Sequence, residues 1–314
     1  FEEKERREME WLVRSTDNLI GKDAPPVGAL KAHEITRGFE VMRAWARRSS
    51  KPASNAPHVV ERILRRLLDE RDSGNRNVKI TTYAYNVVID AWSKSDEDGA
   101  AQRAEEVLSL LENMYEMGNQ RVKPDINSYN GVIKAWVKST QRTHAVTKAE
   151  AVINRMTTKG QLQPNRRGYN LLLYALANSY DDDAADRAEQ ILHKMEIGFA
   201  EGDESVVPDI NSYNQVIGCF ARGRKKGFEY KAQAIFEDLV SHANNSDVKP
   251  NTDTFNAILG CWLKSNDENA LQYIEETLEL MDECYSHGNS EAKPDRISVN
   301  TAIAAYARLG NDRS

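Results

Sequence analysis

Six asparagines recur along the chain inside segments that are otherwise apolar. They are Asn86, Asn130, Asn170, Asn214, Asn256 and Asn300, spaced 40 to 44 residues apart. Asparagine is a mediocre helix former, because its side chain competes with the backbone for hydrogen bonds. Its amide donates and accepts hydrogen bonds at once. The row therefore either ties neighbouring helices together as a ladder or presents amides to the edge of a heterocyclic base.

A second row accompanies the asparagines and follows the prolines of the chain. The residues directly after Pro124, Pro164, Pro208, Pro250 and Pro294 are Asp125, Asn165, Asp209, Asn251 and Asp295. Aspartate and asparagine are both good helix N-caps. Capping accepts either residue equally, so it leaves their alternation without an explanation.

A third row stands eight residues after each asparagine, about 80° further around a helix. Its members are Lys94, Lys138, Asn178, Arg222, Lys264 and Arg308. Single cations at repeated positions can follow the phosphates of a single-stranded nucleic acid. They can equally well lie at helix C-termini, where a positive charge is favourable.

These rows belong to a repeated pair of helices. Around each asparagine, apolar residues occupy one helical face, such as Tyr85, Val88, Ile89 and Trp92. A second helical pattern follows about 18 residues later, and glycine or proline separates it from the next repeat. Periods in this range indicate a stacked array. We expect an all-α fold, a right-handed α-solenoid superhelix of helix-turn-helix repeats whose inner face holds the ligand.

The pattern also predicts the limits of the repeats within one solenoid domain. Residues 1–33 are predicted to end a preceding degenerate repeat. The predicted repeats are 34–81, which is degenerate, then 82–125, 126–165, 166–209, 210–251 and 252–295, with a first helix alone at 296–314. The chain starts at Phe1 rather than methionine, so we expect a fragment, and it reveals no targeting segment.

Composition argues against several classes of protein. Three cysteines are too few for a disulfide framework, and Cys219 and Cys261 take a position that is alanine in other repeats, so we expect small core residues. The aspartates at 181–183 form a run that suggests a metal, but no further ligand lies at suitable spacing, so no metal or cofactor is expected. The six histidines are scattered, and no residue set predicts an enzyme.

One string carries a family resemblance. Residues 123–136, Lys-Pro-Asp-Ile-Asn-Ser-Tyr-Asn-Gly-Val-Ile-Lys-Ala-Trp, resemble the pentatricopeptide repeat, with loops longer than usual for that family. The resemblance implies single-stranded RNA as the partner, with each asparagine and the residue after the next proline selecting one base. It implies the target 5′-U, Y, U, Y, U-3′, read by Asn86 with Asp125, Asn130 with Asn165, Asn170 with Asp209, Asn214 with Asn251, and Asn256 with Asp295.

The resemblance carries further expectations. Lys94, Lys138, Arg222, Lys264 and Arg308 are expected near phosphates, and Asn300 is expected to select a base as well. The implied role is RNA processing, stability or translation in a mitochondrion or plastid, by a monomer that does not enter a membrane. Protein-only RNase P joins such repeats to a separate nuclease domain, and none is visible here.

One feature departs from the family and supports a different function. Three residues before each asparagine, where the family places an aliphatic residue that covers the base, stand Tyr83, Asn127, Arg167, Asn211, Asp253 and Ile297. The polar members are poor platforms for a base. Together with the net charge of −6, they favour the alternative of a protein-binding scaffold, ribosome-associated or active in complex assembly, that uses its long loops and outer helices.

Overall fold

The structure is a computed structural model that describes residues 2–50, 55–140, 142–179, 181–242 and 248–309. Over these residues it contains fourteen α-helices, three short 3₁₀ turns and no β-strand. The prediction of an all-α fold is therefore confirmed. The helices are α1 Glu2–Ile20, α2 Ala32–Arg48, α3 Ala56–Asp72, α4 Thr82–Lys94, α5 Ala100–Glu116, α6 Ile126–Lys138, α7 Arg142–Thr158, α8 Arg166–Ala177, α9 Ala184–Ala200, α10 Ile210–Arg222, α11 Phe228–His242, α12 Thr252–Lys264, α13 Ala270–Ser286 and α14 Arg296–Leu309.

The helices fall into two compact units that divide after Pro164. In the first unit, α4 pairs with α5 and α6 pairs with α7, while α4 also packs on α2 and α6. In the second unit, α10 pairs with α11 and packs on α8 and α12 in the same way. The first helix α4 thus contacts the first helices on both sides, and so does α10. This stacking of helix pairs is the α-solenoid arrangement that the period predicts.

The first helix of a repeat begins where a proline and an N-cap residue place it. At α6 the Asp125 carboxylate accepts a hydrogen bond from the backbone N–H of Ser128, and the Ser128 hydroxyl accepts one from the backbone N–H of Asp125. This reciprocal cap satisfies two donors that a helix start leaves without partners. The same cap recurs at Asp209 for α10 and at Asn251 for α12.

Aromatic and small residues fill the space between stacked pairs. Trp92 is buried, and its indole N–H donates to Glu61 of the preceding second helix, 3.0 Å away. Trp136 repeats this bond with Glu105. A further connection joins Arg155 of α7 to Glu105 of α5, 50 residues apart in sequence, at 2.8 Å. Buried indoles need such partners for their N–H groups, so one repeat fixes the position of the next.

Cys219 and Cys261 are buried in this core, as the sequence predicts. Burial raises the pKa of each thiol to about 12, because a thiolate would lose its hydration there. Both therefore behave as small apolar side chains.

Three of the linkers between repeats contain a short 3₁₀ turn. A 3₁₀ turn precedes α6, α10 and α14, and each turn ends on a buried residue, which is Val122, Val206 or Ala292. Each of these linkers leads to a proline and then to an aspartate. The hydroxyls of Thr82 and Thr252 hold two of the linkers, by donating to the carbonyls of Lys123 at 2.6 Å and Lys293 at 2.7 Å.

Candidate nucleic-acid interface

The asparagine row and the row after the prolines contact each other directly. Asn86 Nδ2 donates to Asp125 Oδ1 at 3.0 Å, and Asn86 Oδ1 accepts from the Ser128 hydroxyl at 2.7 Å. Asn86 lies on α4, whereas Asp125 and Ser128 form the cap of α6. One amide therefore joins the N-terminal part of one first helix to the start of the next. Because aspartate only accepts hydrogen bonds, these partners fix which end of the amide is nitrogen.

The same three-residue arrangement recurs in the second unit. Asn170 donates to Asp209 at 3.0 Å, Asn214 to Asn251 at 3.0 Å, and Asn256 to Asp295 at 3.1 Å. The accompanying hydroxyls, which donate back to the asparagine oxygens at 2.6 to 2.7 Å, are those of Ser212, Thr254 and Ser298. The two interpretations of the asparagine row, a ladder between helices and contact with bases, thus involve the same side chains.

The ladder leaves part of each site's hydrogen-bonding capacity unused. Asn86, Asn170, Asn214 and Asn256 are only half-buried, and each amide retains a second N–H. At Asp125 the ladder and the cap both use Oδ1, and over the described residues its Oδ2 accepts no hydrogen bond. Asn251 also turns Oδ1 towards the cap, because the backbone N–H of Thr254 can only donate to it. The Asn251 Nδ2 group then lies where the aspartates carry a second oxygen.

Two members of the asparagine row differ from the others. Asn130 is only 1% exposed, so it is the least accessible of the six, and its predicted partner Asn165 belongs to the other compact unit. Asn300 is exposed on α14. Their assignment as base-selecting residues stays a prediction.

The sequence analysis missed the hydroxyl row. Ser128, Ser212, Thr254 and Ser298 are all fully buried, and each serves both the cap and the ladder. A signal was present, since a hydroxyl residue stands two positions before four of the six asparagines. Ala84 and Gly168 take that position in the other two repeats.

The aspartate oxygens are charged acceptors. The backbone N–H of Ser298 donates to Asp295 and, together with further hydrogen bonds, holds the pKa of that carboxyl below its ordinary value. Asp295 is consequently ionised throughout the neutral range.

The cationic row lies at the opposite ends of the first helices. Lys138 Nζ donates to the carbonyl of Lys94 at 2.8 Å, and Lys264 Nζ to the carbonyl of Ala221 at 2.9 Å. Arg308 likewise donates to the carbonyls of Leu263 and Ser265. Helix C-termini leave carbonyls without intrahelical donors, so these cations stabilise the end of the preceding first helix.

The remaining members of that row differ. Lys94 pairs with Asp90 on its own helix, and Asn178 donates to the carbonyl of Tyr174. Arg222 is exposed, and among the described residues its guanidinium has neither a hydrogen bond nor an ion pair. Contact of this row with phosphates stays a prediction.

The row three residues before the asparagines is exposed throughout. Tyr83 is 52% exposed and Ile297 is 59% exposed, and Asn127, Arg167, Asn211 and Asp253 are exposed as well. On each first helix an accessible side chain therefore stands one helical turn before the asparagine.

Comparison with protein families decides what the repeats are. A family model described as the pentacotripeptide-repeat region of PRORP matches residues 66–213, and one described as a pentatricopeptide repeat domain matches residues 191–265. Together they cover more than half of the 314 residues. The chain belongs to the pentatricopeptide repeat family.

Solved structures of this family resemble the chain in part. A crystal structure of the pentatricopeptide repeat protein PPR10 in complex with an 18-nucleotide psaJ RNA element is 22% identical, with a TM-score of 0.33. A cysteine-to-serine variant of PPR10 with the same RNA gives the same values. The alignment covers 97% of this chain and 45% of PPR10, so the chain spans less than half the length of that protein. No curated protein matches the chain significantly.

The turns within the pentatricopeptide repeats carry ion pairs between neighbours. Lys138 Nζ lies 2.6 Å from Asp96, and Lys225 Nζ lies 2.8 Å from both Asp183 and Asp186. The bonds from Lys225 and Lys231 lower the pKa of Asp186. The acidic runs at 96–98 and 181–183 are exposed, and each also pairs with a lysine of the next repeat.

Among the described residues, no group of histidine, cysteine, aspartate and glutamate has the arrangement of a metal site. The described helices also include none long and apolar enough to cross a bilayer.

Proposed function

We propose that this protein binds single-stranded RNA and reads one nucleotide per repeat. The observation that carries the proposal is the recurring hydrogen-bonded pair. In four repeats an asparagine is held by the residue after the next proline, while that residue keeps a second polar group out of the ladder. Single-stranded RNA is recognised through such groups, because its bases expose their Watson–Crick edges.

The chemistry of the second group supports a pyrimidine target. Uracil presents N3–H, which the Oδ2 of Asp125, Asp209 or Asp295 can accept. Cytosine presents N3 as an acceptor, which suits the Nδ2 group of Asn251. The proposed target is 5′-U, Y, U, Y, U-3′ in the order of the five pairs, where Asn130 with Asn165 reads the second nucleotide. The alternation that capping does not explain thereby becomes an alternation between an acceptor and a donor.

The cations would contribute affinity that does not depend on sequence. Lys138 and Lys264 each use a bond to a carbonyl, and Lys138 also pairs with Asp96, yet an ammonium group has three N–H donors. Both residues are exposed, so they can meet a phosphate while they hold the preceding helix. Arg222 has its donors available for the same purpose.

In a cell, a protein of this kind would act in organellar RNA processing, stability or translation, as other members of the family do. We propose that it masks or remodels RNA and does not cleave it, because we assign the polar groups of the pairs to base edges and not to the phosphates.

The test is a panel of short labelled RNAs measured by fluorescence anisotropy. We expect the pyrimidine sequence to bind at least tenfold more tightly than oligoadenylate, since one well-placed pair of contacts discriminates by about 1–3 kcal/mol. The double variant Asn170→Ala with Asn214→Ala should lose this preference and keep its helical circular dichroism. Asn113→Ala, an exposed asparagine on the second helix α5, is the matched control and should bind like the parent. Equal affinity of the parent for all RNAs would contradict the proposal.

One observation favours the alternative of a protein-binding scaffold. The second helices α5, α9 and α13 expose large apolar residues, namely Leu110, Ile197, Phe199 and Tyr285, and Met117, directly after α5, is 86% exposed. Exposed apolar groups of this kind occur at protein interfaces. If every RNA in the panel fails to bind, these residues become the leading candidates for the functional ones.

A further inference from the structure

Arg166 is an unusual residue for its place in the fold. It is the first residue of α8, directly after the cap residue Asn165. A helix N-terminus carries partial positive charge, so a cation there is unfavourable unless an acid is close. Its Nε lies 3.6 Å from Oδ2 of Asp209, and both side chains are partly exposed. Oδ2 is the oxygen that the cap and the ladder leave unused at this site.

The corresponding residue is different at the other sites. It is Thr82 where Asp125 is the partner and Thr252 where Asp295 is, and both threonine hydroxyls donate to linker carbonyls. At the two sites with an asparagine partner it is Ile126 or Ile210. Among the five sites, only the site of Asn170 and Asp209 has a cation in this position.

Three polar groups consequently lie next to one another at this site. Arg166 and Asn170 are four residues apart on α8, which places them on one face of the helix. The Asp209 carboxylate lies between them, with Oδ1 bound to Asn170 and Oδ2 beside Arg166. The remaining N–H of Asn170, the Asp209 oxygen and the guanidinium N–H groups form a sequence of donor, acceptor and donor.

We propose that Arg166 is a third base-reading residue and that it makes this site the most selective for uridine. The inference rests on the proposed function. The Watson–Crick edge of uracil presents O2, N3–H and O4, an acceptor, a donor and an acceptor, which complements the three groups in order. Cytosine presents an amino donor and the acceptor N3 in place of O4 and N3–H. It would therefore face the guanidinium with a donor and the carboxylate with an acceptor.

The ion pair itself adds little stability, because both partners are partly exposed and solvent screens them. Replacing Arg166 should therefore leave folding intact, and its effect should appear in base selection.

The experiment compares uridine with cytidine at single positions of the proposed target RNA. Arg166→Thr installs the residue that two other sites carry. We expect it to reduce the preference for uridine at the third nucleotide about tenfold, which corresponds to one discriminating contact, and to leave the preference at the first nucleotide unchanged. The reciprocal variant Thr82→Arg should raise the preference for uridine at the first nucleotide.

Arg296→Thr is the charge-matched control, because Arg296 takes the same position at the start of α14. It should lower affinity for all sequences alike and leave the third-nucleotide preference as in the parent. If Arg166→Thr behaves like Arg296→Thr while the parent still selects pyrimidine RNA, the inference is overturned and the proposed function stands. A parent protein that binds no RNA would overturn both.

Discussion

The two ends of the first helices carry the two rows of residues that the sequence assigns to RNA, and the structure uses them differently. At the N-terminal end, the asparagines and the cap residues bond to each other and still keep a second acceptor or donor group. At the C-terminal end, Lys138 and Lys264 bond to carbonyls of the preceding repeat. Both rows hold neighbouring repeats together. Only at the N-terminal ends do these bonds also orient the polar groups that stay unused.

The difference shows that a repeated residue can be structural and available for binding at once. An amide or carboxylate has more hydrogen-bonding positions than a ladder needs, so the ladder orients the remaining position. A lysine ammonium is a flexible point charge, so its bond to a carbonyl orients nothing for a ligand. We therefore expect base selection to come from the N-terminal ends and uniform affinity from the C-terminal ends.

The largest expected effect is a change of specificity at an N-terminal end. Asp125→Asn keeps a side chain that can cap α6 and accept from Asn86, and it replaces the Oδ2 acceptor by an N–H donor. The first nucleotide preference should shift from uridine towards cytidine by about tenfold or more, as measured by anisotropy. Asp125→Glu is a control that keeps the charge but changes the reach. An unaltered preference in Asp125→Asn would show that this carboxylate does not read a base.

A smaller effect is expected at a C-terminal end. Lys264→Ala should flatten the salt dependence of RNA binding by about one charge and lower the free energy of unfolding by about 1 kcal/mol, since a carbonyl loses its donor. Arg222→Ala should flatten the salt dependence equally without a change in stability. If the salt dependence of RNA affinity is the same in both variants as in the parent, these cations do not contact the RNA.

The buried hydroxyls should affect stability and leave the preferred base unchanged. Ser212→Ala takes a donor from Asn170 and an acceptor from the start of α10. We expect a loss of about 1–2 kcal/mol in the free energy of unfolding, read from urea denaturation. Ser205→Ala, at an exposed linker serine, should cost far less. Equal losses in the two variants would mean that the ladder contributes nothing measurable.

The smallest effect concerns the middle of the first helices, between the two ends. Cys219 and Cys261 have thiol pKa values raised to about 12, whereas a cysteine in the unfolded chain has a pKa of about 8.5. The unfolded state therefore releases protons first, and the stability that the neutral thiols provide declines as the pH rises from about 8 towards 12. The double variant Cys219→Ala with Cys261→Ala installs the residue that other repeats carry there, as at Ala91 and Ala135. Its thermal melts should lose this part of the pH dependence, and its RNA binding should stay unchanged.

The sequence predicted the helix pairs and the buried faces, because these depend on local spacing and on caps such as Asp125. It also selected the rows that lie at the helix ends. It did not predict that Asn86 contacts Ser128, or that Lys138 contacts the carbonyl of Lys94. Such contacts depend on how far one repeat shifts along the next, and a single sequence does not contain that shift. The burial of Asn130 was missed for the same reason.

The connection between Arg155 and Glu105 has a kinetic consequence. It spans 50 residues, little more than one period, so contacts between repeats close only short loops and avoid the entropic cost of distant pairings. Folding of each compact unit can then start at any adjacent pair of repeats and extend outwards. The folding rate should depend on the adjacent pair of repeats that forms most readily and hardly at all on how many repeats the array contains.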